Sequence, residues 1–240
     1  MIGIRGEGLP DKEVYFNPKS TRPIREIRGA GLFSGKDSLY AIYLAERYGV
    51  VVTDLISLIP TFDKPAGHIE NLPILQKIAR NMNKELTVIS LQKGRDALVE
   101  ALIRMGVEAL VAGDVLVEDH VRWLQEICKL AGVALIEPLF NKDTLAVLMD
   151  MMHAGFKATI ICVDTDFLGE EWLGFTLSKK TLNEFLSKKG NIDPLGENGE
   201  YHTIVIDCPL YKRPLSIKSW EKHRSGKISY ITIESQPLHD

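Results

Sequence analysis

Short apolar and β-branched runs alternate with segments of helical period from residue 29 to residue 164 of this 240-residue chain. The runs that indicate strands cover residues 29–34, 51–60, 86–91, 109–115, 134–139 and 157–164. Between them, apolar residues recur every three or four positions, as at Leu72, Leu75 and Ile78. Nearly continuous apolar strands that alternate with amphipathic helices are typical of a parallel sheet covered on both faces. The sequence therefore predicts a doubly wound α/β domain.

The pattern changes after residue 165. A polar helical segment near residues 178–188 leads into the glycine-rich turn GENGE (196–200), and the runs YHTIVID and ISYITIES then alternate with period two. This alternation is typical of half-buried strands and predicts a smaller C-terminal α+β subdomain. The expected organisation is an N-terminal extension over residues 1–28, the α/β domain over 29–140 and the C-terminal subdomain over 141–240.

The composition excludes several classes of protein. Asp and Glu number 32 against 29 Lys and Arg, a net charge of −3 that argues against a polycation built to coat nucleic acid. Cys128, Cys162 and Cys208 are odd in number and widely spaced, which excludes a disulfide scaffold or a CxxC motif and indicates buried cysteines in a reducing cytoplasm. No apolar window is long enough for a membrane span, and the N-terminus lacks the apolar centre of a signal peptide.

The segment Ser34-Gly35-Lys36-Asp37-Ser38 joins the first strand to the following helix. Backbone N–H groups and the helix dipole favour an anion at such a helix N-terminus, where the glycine permits close approach and the lysine adds positive charge. A carboxylate here would repel phosphate unless a cation lay between them, so Asp37 is predicted to bind a Mg²⁺ ion that bridges phosphates. The alternative is that Asp37 or Ser38 serves only as the helix N-cap.

Three further motifs follow the loop. Gly113 and Asp114 end a predicted strand, and the stretch EDHVRW (118–123) precedes a helix. EWLG (171–174) comes next, and GENGEYHT (196–203) runs into a strand. The end of a strand is the ligand side of a parallel α/β sheet, which assigns Asp114 to that side. The GENGE turn has the alternative interpretation of a polar connection between helix and strand.

The loop resembles the pyrophosphate loop (PP-loop), SGGxDS, of the N-type ATP pyrophosphatases, and the ordered set of motifs resembles the diphthine–ammonia ligase family. The resemblance implies a Rossmann-like fold of the adenine nucleotide alpha hydrolase type, with the nucleotide in the domain over 29–140 and the substrate in the subdomain over 141–240. It also implies an ATP-dependent, AMP-forming ligase that uses Mg²⁺. In that family ATP adenylates a carboxylate on a modified histidine of a translation elongation factor, and ammonia then displaces AMP.

The resemblance and the residues together give the expected site. Lys36 and the metal on Asp37 would stabilise the transferred group, and Asp114 would contact a second metal or orient the acceptor. Glu197 and Glu200 would hold a cationic acceptor such as a trimethylammonium group, or receive the proton of ammonia. The predicted catalytic residues are Lys36, Asp37, Asp114, Glu197 and Glu200. The predicted nucleotide-binding residues are Leu32, Phe33, Ser34, Gly35, Lys36, Ser38, Ile59 and Gly113. The predicted substrate-binding residues are Asp119, His120, Arg122, Glu197, Asn198, Gly199, Glu200, His202 and Thr203.

Two other functions stay open. One is a tRNA-modifying member of the same superfamily, which the locally basic stretch from Lys212 to Lys227 favours and the net negative charge disfavours. That stretch has the further interpretations of a solvated hairpin face or a contact for an acidic protein. The other function is an adenine-nucleotide sensor without turnover. The expected partners are thus a protein acceptor and ammonia or another amine, and tRNA is less favoured. The protein is also expected to be able to form a homodimer.

Overall fold

The computed structural model describes residues 26–61, 65 and 67–236, so most of the predicted N-terminal extension (1–28) lies outside the described residues. The strands are β1 (Ile27–Leu32), β2 (Val50–Ile59), β3 (Glu85–Ser90), β4 (Ala109–Val111), β5 (Ala134–Ile136), β6 (Lys157–Asp164), β7 (Thr176–Leu177), β8 (Tyr201–Asp207), β9 (Ile217–Ser225) and β10 (Ile228–Ser235). The α-helices are α1 (Lys36–Arg47), α2 (Gly67–Glu70), α3 (Leu72–Asn81), α4 (Asp96–Met105), α5 (Glu118–Ala131), α6 (Thr144–His153) and α7 (Leu182–Lys188). Short 3₁₀ helices cover Leu91–Lys93 and Glu170–Trp172.

The described residues form two compact units that are each discontinuous in sequence. The first unit comprises residues 26–33, 37–61 and 84–140. The second comprises residues 34–36, the described part of 62–83, and 141–236. Segments 34–36 and 62–83, which the predicted boundaries assign to the first domain, therefore cluster with the C-terminal residues.

The first unit contains a parallel sheet of five strands in the order β3-β2-β1-β4-β5, flanked by helices. This order confirms the predicted doubly wound α/β fold. The strand order reverses direction between β1 and β4, because β2 lies on one side of β1 and β4 on the other. In open α/β sheets, ligands bind beyond the carboxyl ends of the two strands at such a reversal.

Helices pack against both faces of strand β1, and the small residues of its sequence GAGL permit this close packing. On one face, a Cβ added to Gly31 would lie 2.6 Å from the Ile42 side chain of α1, so only glycine admits this close packing. On the other face, Ala30 and Leu32 belong to a buried cluster with residues of α4 and α5 that include Leu98, Leu102, Leu124 and Ile127. The small residues of β1 therefore bring the start of α1 close to the centre of the sheet.

The second unit contains an antiparallel sheet with the order β7-β6-β10-β9, in which β8 also pairs with β6. Strand β6, which lies within the predicted C-terminal subdomain (141–240), belongs to this sheet, so the parallel sheet has five strands. The expected C-terminal α+β subdomain is confirmed. Strand β9 was not predicted as a separate strand, but it lies in the basic stretch that has the interpretation of a solvated hairpin face. Its sequence IKSWEKHRS is polar and largely exposed, and it pairs along its length with β10.

Two expectations from composition can be compared with this structure. Cys128, Cys162 and Cys208 all lie in the described part of the chain; each is buried and none forms a disulfide. Among the helices of residues 26–61 and 67–236, none combines the length and the apolar character that crossing a bilayer requires.

Candidate functional site

The loop between β1 and α1 leaves the sheet at its centre. The Phe33 N–H donates to the Ile56 carbonyl at 2.8 Å, so the backbone continues the strand by one residue before it turns. Leu32 and Phe33 are buried hydrophobic residues, and Ile59 is half-buried at the end of β2. Leu32 and Phe33 therefore have side chains in the core, which leaves their backbone for the predicted contact with a nucleotide. Helix α1 begins at Lys36, and its N-terminal N–H groups and dipole favour an anion there. Asp37 lies in the first turn of the same helix.

Gly113 brings the end of β4 into contact with the first turn of α1. A Cβ added at Gly113 would lie 2.7 Å from the Asp37 carbonyl carbon and oxygen, and 2.8 Å from the Ser38 Cα. Those are backbone atoms of a helix, which cannot move aside as a flexible side chain can. The close packing of Gly113 therefore requires glycine, and it places two of the predicted site segments together.

Asp114 and His120 form a dyad that begins directly after this glycine. The His120 Nδ1 lies 2.6 Å from the Asp114 Oδ1, and the carboxylate accepts the imidazole hydrogen. The His120 ring stacks on Trp123 with the ring centroids 5.4 Å apart. Because Asp114 engages Nδ1, the His120 ring is held with Nε2 on its opposite side. The structure thus joins one predicted catalytic residue to one predicted substrate-binding residue.

Glu137 is a member of this group that the sequence analysis missed. It follows β5, the neighbour of β4, and its Oε2 accepts the Asp114 backbone N–H at 3.3 Å. Burial first and the charge of Asp114 second raise the pKa of Glu137 to about 9. A signal was present in the sequence, because Glu137 follows the apolar residues ALI (134–136) as Asp114 follows the apolar strand before it.

Residues 34–36 contact the chain around the start of β8, within the second unit. The Lys36 N–H donates to the Thr203 hydroxyl at 3.2 Å, and the Lys36 ammonium donates to the Leu195 carbonyl at 2.6 Å and lies 4.8 Å from the centre of the Tyr201 ring. A Cβ added at Gly35 would lie 3.1 Å from the Thr203 carbonyl oxygen. Lys36 is only 2% exposed, so these groups enclose the lysine that the sequence analysis assigned to phosphate.

The GENGE turn is organised around Glu200. This side chain is buried and accepts hydrogen bonds from the backbone N–H groups of Asp193 and Asn198 and from the Asn198 side-chain amide, each at 3.0 Å. Burial opposes ionisation, but these hydrogen bonds outweigh it and lower the pKa of Glu200. Asp193 accepts the N–H groups of Leu195 and Glu197. The structure therefore gives Glu200 a role in holding the turn, and its catalytic role stays a prediction.

The remaining residues of the turn have different degrees of exposure. Asn198 and Gly199 are exposed, whereas the Glu197 side chain is half-buried. Gly199 has a φ of +84°, a left-handed conformation that favours glycine. The structure leaves Asn198 and Gly199 accessible from solvent, as the predicted contact with a substrate requires.

His202 follows the turn and lies beside a second histidine, His68. The rings of His202 and His68 are in edge contact, with centroids 6.4 Å apart. Desolvation first and the charge of Lys36 second lower the pKa of His202. Desolvation first and His202 second lower the pKa of His68 to about 4. Both imidazoles are therefore neutral at pH 7. The two histidines are 134 positions apart in sequence, so their contact could not be predicted without the fold.

Asp119 and Arg122 lie in the first turns of α5, where exposed ion pairs link Arg122 to Glu118 at 2.9 Å and to Asp119 at 3.8 Å.

The basic stretch near the C-terminus also forms ion pairs. Lys218, Lys222, Arg224 and Lys227 each form an ion pair with an Asp or Glu of the second unit. Local pairing neutralises the charge that a nucleic-acid surface would present. Pairing of these four side chains therefore weakens the sequence argument for tRNA as the partner.

The metal prediction can be tested against the residues present. In the described part of the chain, no three His, Cys, Asp or Glu side chains cluster as a metal-binding group would. Mg²⁺ usually takes one or two carboxylates from the protein and completes its shell with phosphates and water. Asp37, in the first turn of α1, fits that mode of binding and does not fit a metal site made by protein alone.

The reversal of strand order, the loop into α1 and the acidic strand end together define a nucleotide-binding protein of the PP-loop superfamily. The family model of the diphthamide synthase N-terminal domain matches residues 27–135, and that of the diphthamide synthase C-terminal domain matches residues 143–238. The chain therefore belongs to the diphthamide synthase family.

Curated relatives agree with this membership. The chain is 33% identical to the diphthine–ammonia ligase of Schizosaccharomyces pombe over 133 residues, 53% of this chain and 22% of that protein. It is 31% identical to the Homo sapiens diphthine–ammonia ligase over 118 residues, 48% of this chain and 44% of that protein. The aligned part thus spans less than half of each of these relatives. The U34-tRNA thiolase NcsA from Methanococcus maripaludis superimposes with a TM-score of 0.37 and 16% identity, over 57% of this chain and 60% of that one.

Proposed function

We propose that this protein is an ATP-dependent, AMP-forming ligase that converts a carboxylate into an amide with ammonia, and that its acceptor is the diphthine group of a protein. The observation that carries the proposal is the match to both diphthamide synthase domains, over residues 27–135 and 143–238. The relatives named diphthine–ammonia ligase support the same substrates.

The reaction divides into two balanced steps. An oxygen of the acceptor carboxylate attacks the α-phosphorus of ATP, and pyrophosphate leaves as the bond between the α- and β-phosphates breaks. The nitrogen of ammonia then attacks the acyl carbon, AMP leaves and the nitrogen loses one proton. Because the first step is mainly a matter of alignment and charge neutralisation, the protein acts chiefly by positioning.

In this proposal the phosphates bind at the loop between β1 and α1. Backbone N–H groups at the start of α1 donate to phosphate oxygens, and Gly35 lets the backbone approach them. Asp37 would hold Mg²⁺ together with the phosphates, and the ion would supply positive charge there. For Lys36 to contribute its charge, its ammonium exchanges the Leu195 carbonyl, now at 2.6 Å, for a phosphate oxygen.

On the acceptor side, the proposal keeps the exposed part of the GENGE turn. Glu200 already accepts three hydrogen bonds within the turn, so the proposal assigns direct contact with a cationic acceptor to Glu197 and Asn198. His120, held by Asp114, stands ready to hold or move a proton through Nε2.

A direct test incubates the protein with ATP, Mg²⁺, ¹⁵N-ammonium and a protein that carries diphthine. We expect AMP and pyrophosphate in equal amounts and ¹⁵N in the acceptor, which loses one negative charge as its carboxylate becomes an amide. A matched reaction without acceptor should form far less AMP. Release of ADP and phosphate, or AMP without nitrogen incorporation, would contradict the proposal.

A further inference from the structure

Glu137 continues the pairing of β4 and β5 beyond the point where the strands end. The last backbone bond of this edge runs from the Ala112 N–H to the Ile136 carbonyl at 3.0 Å. Two residues further on, the Asp114 N–H has no strand carbonyl opposite it and donates instead to the Glu137 Oε2, at 3.3 Å. A side chain thus replaces the backbone at the position where the sheet gives way to the Gly113–Asp114 turn.

The second carboxyl oxygen of Glu137 is buried. In the described part of the chain, nothing hydrogen-bonds to this Oε1. The titratable groups that face the side chain are the Asp114 carboxyl and the Cys128 thiol of α5, and His120 lies beyond Asp114. The contact that the structure gives Glu137 is therefore the one between its Oε2 and the Asp114 N–H.

The turn that Glu137 holds is in contact with the start of α1. Gly113 packs against the Asp37 carbonyl and the Ser38 Cα, with no room for a methyl group. Asp114, the next residue, holds the His120 ring through Nδ1. A shift of the turn would therefore displace both the first turn of α1 and the His120 ring.

We propose that Glu137 is a positioning residue of the active site, because it fixes the Gly113–Asp114 turn against the first turn of α1 and holds Asp114 in line with His120. It acts through Asp114 and does not itself touch the nucleotide or the acceptor. The inference rests on the proposed function, since the groups it aligns are those assigned to the nucleotide and acceptor. No contact of Glu137 was expected from the sequence.

The test compares Glu137→Gln, Glu137→Met and Glu108→Met in the full chain. Gln keeps an acceptor for the Asp114 N–H, whereas Met keeps the volume and loses the acceptor. Glu108 is the matched control, because its carboxylate accepts the Arg28 N–H at 3.2 Å at the opposite, amino-terminal edge of the same sheet. Three quantities are measured for each variant: kcat and KM for ATP from AMP formation, the exchange rate of the Asp114 amide by NMR, and stability in urea.

We expect Glu137→Met to lower kcat by about 10- to 100-fold, as loss of a supporting hydrogen bond typically does, with a smaller change in KM. Its Asp114 amide should exchange at least about tenfold faster, whereas Glu137→Gln should keep kcat within about threefold and slow exchange. Glu108→Met should lose stability without loss of kcat. Equal kcat losses in Glu137→Gln and Glu137→Met, or unchanged kcat and exchange in Glu137→Met, would overturn the inference. Absence of AMP formation by the unmodified protein would instead reject the proposed function, and the exchange rate would still decide whether Glu137 holds Asp114.

Discussion

The carboxyl edge of the parallel sheet and the GENGE turn each contain a glutamate removed from solvent, and the two differ in how many donors reach them. Glu200 accepts three N–H groups, which lower its pKa in spite of burial. Glu137 accepts the Asp114 N–H and faces the Asp114 carboxylate, and its pKa is raised to about 9. Burial alone therefore does not determine the charge of a carboxyl group, because the local supply of donors does.

The difference has a functional meaning. A carboxylate whose oxygens are all occupied by its own turn stabilises that turn and has little left for a substrate. A protonated carboxyl beside an Asp–His dyad keeps its hydrogen-bonding capacity within the site. Perturbed carboxyl groups of this second kind are typical of functional sites. We therefore infer that Asp114, supported by Glu137, is the stronger candidate for chemistry, and that Glu200 mainly holds the GENGE turn.

The largest effect expected from this comparison is on the turn. Glu200→Ala leaves three N–H donors without their acceptor and removes a buried side chain, and we expect a loss of about 3 kcal/mol in the free energy of unfolding. Urea denaturation measures it. Glu221→Ala, at an exposed position of β9, is the control and should change stability by less than about 0.5 kcal/mol. A loss below about 1 kcal/mol for Glu200→Ala would show that the hydrogen bonds do not organise the turn.

The second effect concerns the contact between β4 and α1. Gly113→Ala places a methyl group 2.7 Å from the backbone of Asp37, so the helix must shift. We expect a loss of about 2 kcal/mol in stability, typical of overpacking, together with weaker binding of ATP. Urea denaturation and isothermal titration with ATP check the two expectations. An alanine variant of full stability and unchanged affinity would mean that α1 can move at no cost.

The third effect separates the two glutamates by pH. Glu137, with its raised pKa, contributes stability that is complete below the unfolded pKa and is lost as pH rises toward about 9. Replacing it by Gln should therefore stabilise the protein by about 1 to 2 kcal/mol more at pH 7 than at pH 5. Glu200 has the opposite sign, since its lowered pKa contributes stability that is lost as pH falls. Glu200→Gln should cost most at neutral pH and least in acid.

Unfolding free energies of the two Gln variants and the unmodified protein, measured in urea at pH 4, 5, 7 and 9, test these slopes. The opposite signs serve as mutual controls, because a general effect of pH on the protein cancels when each variant is compared with the parent. Parallel slopes for the two variants would contradict the assignment of a neutral Glu137 and an ionised Glu200.

Much of the fold followed from sequence periodicity, and the parts that did not have physical reasons. Apolar strands and amphipathic helices predict the parallel sheet, because burial on both faces requires that pattern. Strand β6 is equally apolar, since it is central in its own antiparallel sheet, and apolar content does not distinguish the two cases. Strand β9 is an exposed edge strand with five charged or histidine side chains, so it lacks the alternation that identifies a strand.

The site shows the same division. The loop into α1 and Asp114 were accessible to prediction, because a helix N-terminus and a strand end have fixed positions in this fold. Glu137 was accessible by the rule used for Asp114 and was missed only because the run ALIEPL was interpreted as strand to its end. The enclosure of Lys36 by Leu195, Tyr201 and Thr203 was not accessible, since it depends on contacts across about 160 positions of sequence.

The smallest effect is expected on the surface of α5, which sharpens the contrast with the acidic pair. Arg122 is 69% exposed and pairs with Glu118, itself 64% exposed. Solvent screens such pairs, so Arg122→Ala should change the free energy of unfolding by no more than about 0.5 kcal/mol. The KM for ATP should also stay unchanged, whereas a role for Arg122 in binding the acceptor would raise the KM for the acceptor alone. If Arg122→Ala instead lowered kcat as strongly as Glu137→Met, the residues that position the reacting groups would have to extend along α5 beyond His120. Steady-state kinetics with ATP and acceptor varied separately distinguish these outcomes, with Lys129→Ala in the last turn of α5 as the control.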